Sequence, residues 1–134
     1  ISTPSDDAKN AKTQLEWVAG NAKDDALRQL GQLRLAALLI DEKTYDEALK
    51  QLNAAPTGPF APRFNDMRGD VLALQGKTME ARGAYQAAIT ALEAQLADDS
   101  SGQRGAYLGL LKSKLEGVGG TAEPAVTVKK EGAK

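Results

Sequence analysis

Carboxylates are the side chains with the most chemical scope in this sequence, because histidine and cysteine are both absent. That absence removes the usual ligands of structural zinc, the thiol nucleophile and the one side chain that titrates unperturbed near neutrality. Acid–base catalysis would have to be built from carboxylates alone, and Asp66 with Asp70 is the pair available for it. The doublets Asp6-Asp7, Asp24-Asp25 and Asp98-Asp99 invite a metal reading. Each falls where a helix begins or ends, and none closes a calcium-loop spacing with a glutamate, so capping of helix amides is the expected role. Gly102, Gly105 and Gly109 match neither a phosphate-binding loop nor a dinucleotide fingerprint, and no strand precedes them. The serines lie in caps and tails with no base nearby. These residues predict a protein that is not an enzyme and that uses no metal or cofactor.

The elements that position these groups are helices. Ala, Leu, Glu, Lys, Gln and Arg dominate a chain of 134 residues, a length that suits one compact domain. The 17 basic and 18 acidic residues nearly cancel, so no overall field would gather a nucleic acid around the molecule. The longest strongly apolar run, Leu35 to Ile40, is too short to span a bilayer, and Lys129-Lys130 is too short to recruit a membrane by charge. Any membrane attachment is expected through an anchor upstream of Ile1. The lack of cysteine leaves the redox compartment open.

Residues 1–7 read as a flexible lead. Behind them Ala8, Ala11, Leu15, Val18 and Ala22 recur at helical spacing, and Asp24-Asp25 can cap a second helix that reaches Asp41. Thr44 and Glu47 have capping-box spacing ahead of a third helix running to about Ala55. Pro56, Gly58, Pro59 and Pro62 predict a loop, after which a fourth helix from Arg63 ends at Gly76. A fifth carries Ala81 to Leu96, and a glycine-weakened sixth places Leu108, Leu111 and Leu115 on one side. The tail, 117–134, reads as disordered.

The helices repeat. Ala48 and Ala81 both lie early in the second helix of a pair and are 33 residues apart, close to the tetratricopeptide period of about 34. In that register Ala36 aligns with Gly69, Leu39 with Leu72, Leu52 with Tyr85 and Ala55 with Ala88. Small residues let the two helices of a hairpin approach, and the large ones fill the gap to the next helix. The expected fold is all-α, a tetratricopeptide-repeat-like right-handed helical solenoid of about six helices. It divides into a half repeat (8–23), two repeats (24–55 and 62–97) and a terminal helix (101–116).

The phrase WVAGNAKDDALRQLGQLRLA, followed by MRGDVLALQGKTMEARGAYQAAI, strongly resembles the YfgM family over roughly Ala11 to Leu115. Members of that family are ancillary subunits of the bacterial Sec translocon. The resemblance implies a single-pass inner-membrane protein with this domain on the periplasmic side, and it implies as partners the SecYEG translocon, a membrane-anchored chaperone such as PpiD, and secreted polypeptides.

The second helix carries two apolar stripes. Leu35, Ala36 and Leu39 face one way, while Leu30, Leu33, Ala37 and Ile40 face nearly the opposite way. In a tetratricopeptide array the first helix of each pair lines the concave surface, so the second stripe, with Arg34, is expected to floor a partner-binding groove. Arg63, Asp66 and Asp70 would form its charged wall. The other reading covers the stripe with the sixth helix or with a helix ahead of the first. Trp17 lies off the helix-one seam and is a candidate anchor, either for a partner or for a preceding helix. Two functions follow: a module that captures proteins at the translocon, or a scaffold that self-associates.

Overall fold

The computed structural model describes residues 3–53, 56–98 and 102–119, with the side chain of residue 98 set aside. Among these described residues six α-helices follow one another: α1 (Pro4–Asn21), α2 (Asp25–Asp41), α3 (Tyr45–Leu52), α4 (Ala61–Leu74), α5 (Thr78–Glu93) and α6 (Gln103–Gly117), with one 3-10 turn at Leu96–Asp98. No strand occurs among the described residues. The all-α, tetratricopeptide-repeat-like architecture expected from the 33-residue period is the one observed.

Helix starts show how the local sequence is read. Thr3 caps α1, accepting from the Asp6 amide at 3.1 Å while Asp6 accepts from the Thr3 amide, and Pro4 fills the first turn, where its missing donor costs nothing. Residues 4–7 are therefore helical, not a flexible lead as the sequence suggested; residues 1 and 2 lie outside the described residues. Asp24 caps α2 as expected, accepting from the Leu27 amide at 2.8 Å. Pro62 sits in the first turn of α4, so this helix begins two residues before Arg63. The expected extension of α3 to Ala55 falls outside the described residues, and so does the tail from residue 120. The tail is not featureless at its start. Gly117 closes α6, and Val118 packs against the second core cluster while its carbonyl accepts from Arg82 Nη2.

The expected capping box at Thr44 is absent, since Thr44 makes no side-chain cap. The backbone takes over that role in both repeats. Lys43 adopts φ 63°, the Thr44 amide donates to the Leu39 carbonyl at 2.8 Å, and the amide is thus unavailable to Glu47. Thirty-three residues later Gly76 adopts φ 77°, and the Lys77 amide donates to the Leu72 carbonyl at 2.8 Å. The left-handed turn suits Gly76 and is strained at Lys43.

The core lies in two linked clusters. One gathers Leu35, Ala36, Leu39, Ala48, Leu52, Phe64 and Val71; the other gathers Leu72, Ala81, Tyr85, Ala88, Ile89, Leu111 and Leu115. Leu49 touches both, so the repeats share one continuous interior. Each aligned pair is buried at both members wherever both are described: Ala36 with Gly69, Leu39 with Leu72, Ala48 with Ala81, Leu52 with Tyr85. The helix-end ties recur too. Lys12 Nζ meets Glu42 at the end of α2 at 2.9 Å, and Gln75 at the end of α4 donates to Asp46 at 3.1 Å.

The second hairpin differs in how it divides volume. A methyl group at Gly69 would lie 2.6 Å from the Tyr85 ring, so the larger aromatic at the Leu52-equivalent position requires a partner without a side chain. Gly69→Ala is expected to lower stability by about 1 to 3 kcal/mol. Paired with Tyr85→Leu, which restores the Ala36 and Leu52 combination of the first repeat, the same substitution should do less harm than in the wild-type background. Chemical denaturation of the four proteins in the cycle measures this coupling, and strict additivity would disprove it.

Candidate protein-binding surfaces

The first helices of the two pairs touch each other, α2 against α4. The second helices are held apart by grooves, one between α1 and α3 over Leu35 and Leu39, the other between α3 and α5 over Arg68 and Leu72. Helices α2 and α4 thus line the inner face of the array, and the grooves open on the outer face. Each groove encloses about 510 Å³. Seven of the lining positions in one are the 33-residue equivalents of positions in the other, Glu47 and Glu80 among them.

On the inner face the predicted stripe of α2 divides. Leu33 is only 7% exposed and belongs to the first core cluster. Ile40 is half-buried and packs on that cluster; Leu30 is half-buried; Arg34 and Ala37 are exposed. Leu33 is therefore fold and not floor: it is buried in a cluster that draws on α1, α3 and α4 as well as α2. The surface left for a partner on α2 is Leu30, Arg34, Ala37 and the outer edge of Ile40.

The predicted charged wall is likewise occupied from within. Asp66 is 7% exposed, and its Oδ1 accepts from Lys114 Nζ at 2.8 Å while its Oδ2 accepts from the Tyr107 hydroxyl at 2.7 Å. Asp70 Oδ1 accepts from the Tyr85 hydroxyl at 2.7 Å, and Oδ2 from Lys114 Nζ at 3.2 Å. All four carboxylate oxygens are engaged, and the pair ties both α5 and α6 to α4. Arg63 remains exposed, its guanidinium 4.3 Å from the centroid of the Tyr107 ring.

Tyr107 and Lys114 did not figure among the residues singled out from sequence. Their i, i+7 spacing on α6 puts them on one face, opposite two carboxylates at i, i+4 on α4. That complementarity was the available signal, and it becomes visible only once α6 is known to pack beside α4.

Burial, then the bond to Asp70, raises the Tyr85 hydroxyl above its ordinary value of 10; burial and Asp66 do the same at Tyr107. At Lys114 burial pushes downward, but the bonds and charges of Asp66 and Asp70 outweigh it and leave the amine raised.

Trp17 is 62% exposed on α1 and Met79 79% exposed at the start of α5. The acidic doublets sit at helix starts: Asp6 and Asp24 cap, and Asp25 pairs with Arg28 at 2.7 Å. The side chain of Asp98 and all of Asp99 lie outside the described residues. Among the described residues no three acidic side chains converge, and no helix is long and apolar enough to cross a membrane.

A family model described as a tetratricopeptide repeat-like domain matches residues 2–119. Two curated relatives are each named ancillary SecYEG translocon subunit. The protein from Neisseria gonorrhoeae is 35% identical over 106 residues, covering 79% of this chain and 46% of the relative. The protein from Escherichia coli is 31% identical over 81 residues, covering 60% of this chain and 39% of the relative. The aligned chain thus spans less than half the length of each. No solved structure matches it significantly.

The acid network carries a pH dependence of known sign. Unfolded tyrosines ionise near 10 while Tyr85 and Tyr107 in the fold hold their protons longer, and Lys114 likewise keeps its proton beyond 10.5. Each contribution is fully present below those values and is lost as pH rises through them. The melting temperature should therefore hold from neutrality to about pH 9 and fall above pH 10. Tyr107→Phe should cost about 1 to 3 kcal/mol at pH 7 and make the alkaline fall shallower. Thermal melts of both proteins across this range decide it; an unchanged alkaline slope in the variant would remove Tyr107 from the account.

Proposed function

The chain belongs to the tetratricopeptide repeat-like family, within its YfgM-like group, and from that premise we propose that it is the protein-interaction module of an ancillary Sec translocon subunit. The observation that carries this reading is the 35% identity over 106 residues to a protein of that name. The module is non-catalytic, and it sits on the periplasmic side of the inner membrane, tethered by an anchor outside this chain. There it binds translocon components, a membrane-anchored chaperone and polypeptides leaving the channel. Two features of the fold support a binding role: an inner face with Leu30, Arg34 and Ala37 at its surface, and carboxylates already committed to holding α6.

The inner surface is small. Leu30 and Ile40 are already half-buried and Ala37 offers a single methyl, so each adds less than the roughly 1.5 to 3 kcal/mol of a large apolar side chain taken from full exposure to burial, which suits weak, transient capture. A second reading, self-association through α1, draws on the 62% exposure of Trp17.

Site-specific photocrosslinking in cells tests the leading reading. A photoreactive residue at Ala37, which is exposed, is expected to trap a translocon or chaperone component, whereas one at Gly83 on the outer face should trap far less. Equal yields from both positions would overturn the assignment of the inner face. Light scattering tests the second reading: a dimer that becomes monomeric on Trp17→Ala would support a scaffold held together by α1. Leu33→Glu, by contrast, is expected to reduce helical signal, since Leu33 is part of the core.

A further inference from the structure

The first turn of α4, the end of α5 and the start of α6 enclose a cavity of about 220 Å³, separate from the surface of α2. Phe60, Pro62 and Leu92 supply an apolar floor, and Leu92, 2% exposed, is fixed by the core. Arg63, Arg104 and Tyr107 form the polar rim. The Arg63 guanidinium is stacked over the Tyr107 ring, and that ring is itself anchored by its hydroxyl bond to Asp66. Arg104 is held from behind, its Nη1 donating to the Gln95 carbonyl at 3.0 Å. Among the described lining residues there is no carboxylate.

We propose that this cavity binds the C-terminal residue of a partner protein, a large apolar residue whose free α-carboxylate pairs with Arg63. Size and charge select that occupant. The volume takes one side chain and not a helix, and the floor demands that it be apolar. The guanidinium above it demands a carboxylate within one residue, presented for a two-pronged bond. A chain terminus carries an apolar side chain and a carboxylate on the same Cα; an internal Asp or Glu spends its side chain on the charge and leaves the floor empty. The proposal rests on the reading of the chain as a protein-interaction module and assigns it a second contact, about one residue wide, beside the inner face.

The test is an amide NMR titration of the whole chain with the acetylated hexapeptide Gly-Ser-Gly-Ser-Ala-Phe, as free acid and as C-terminal amide. A third peptide, Gly-Ser-Gly-Glu-Ala-Phe amide, offers an internal carboxylate only. The free acid is expected to shift the amides around Phe60 to Phe64 and Tyr107 saturably, and amidation should weaken binding by about tenfold or more. Arg63→Gln should produce the same loss with helicity unchanged, since Arg63 is exposed, and Arg63→Lys should recover only part of it. Gln95→Glu, which adds a carboxylate to the rim, should weaken the free acid as well. Equal binding of acid and amide, no effect of Arg63→Gln, or no saturable shift up to about 5 mM peptide would overturn the proposal. Equal binding of the internal-glutamate amide would also overturn it, assigning the site to acidic segments. If these fail while crosslinking from Ala37 succeeds, the cavity assignment falls and the module reading stands.

Discussion

Each hairpin depends on two helices meeting across side chains of almost no bulk. Ala36 and Ala48 are completely buried in the first, and Gly69 and Ala81 hold the same places in the second. A larger residue at any of them would push the helices apart by more than the turn between them can absorb, because that turn is fixed by two backbone bonds and one left-handed residue. The close approach then sets what may follow: Leu52 or Tyr85 reaches across to the neighbouring helix only from that separation. Period, turn and core share this one constraint, which is why the 33-residue register recurs in side-chain burial, in the turn bonds and in the outer grooves alike.

The constraint acts on the hairpin interiors and leaves the inner face free to diverge. Leu33 and Ala37 on α2 stand where Asp66 and Asp70 stand on α4. A buried carboxylate at the Leu33-equivalent position would be strongly unfavourable alone, and what makes Asp66 tolerable is α6, which brings Lys114 and Tyr107 to it. The terminal helix is thus more than an apolar lid made of Leu111 and Leu115. Repeat arrays need an end that differs from the middle, and here a polar lock and an apolar seam together provide it.

This explains which features were legible in the sequence. The register could be read because it depends on residue size at fixed spacing, and Ala48 and Ala81 state it directly. The Asp24 cap could be read because capping is local. The Thr44 capping box was misread for a reason its counterpart reveals: Lys77 cannot cap, yet the backbone there is the same, so the turn and not the hydroxyl governs entry into the helix. Leu33 and the acid pair were assigned to a groove because a sequence shows which residues share a face and not what another helix lays over that face. Both assignments needed the position of other elements: the helices that share the first core cluster for Leu33, and α6 for Asp66 and Asp70.

The division between outer and inner faces bears on where recognition can reside. Grooves on the outer face are shaped by the repeat itself, so their size and most of their positions coincide, and any ligand recognising one by shape would meet the other on nearly equal terms. Discrimination between partners requires a surface that differs from repeat to repeat. The inner face meets that requirement, with Leu30 and Arg34 at positions equivalent to Arg63 and Met67. So does the C-terminal end, where α6 has no counterpart in the other pairs. With Asp66 and Asp70 held by internal bonds, Arg34 and Arg63 stand as exposed cations on the first helices of the two pairs, and selectivity beside them should favour segments that bring a carboxylate.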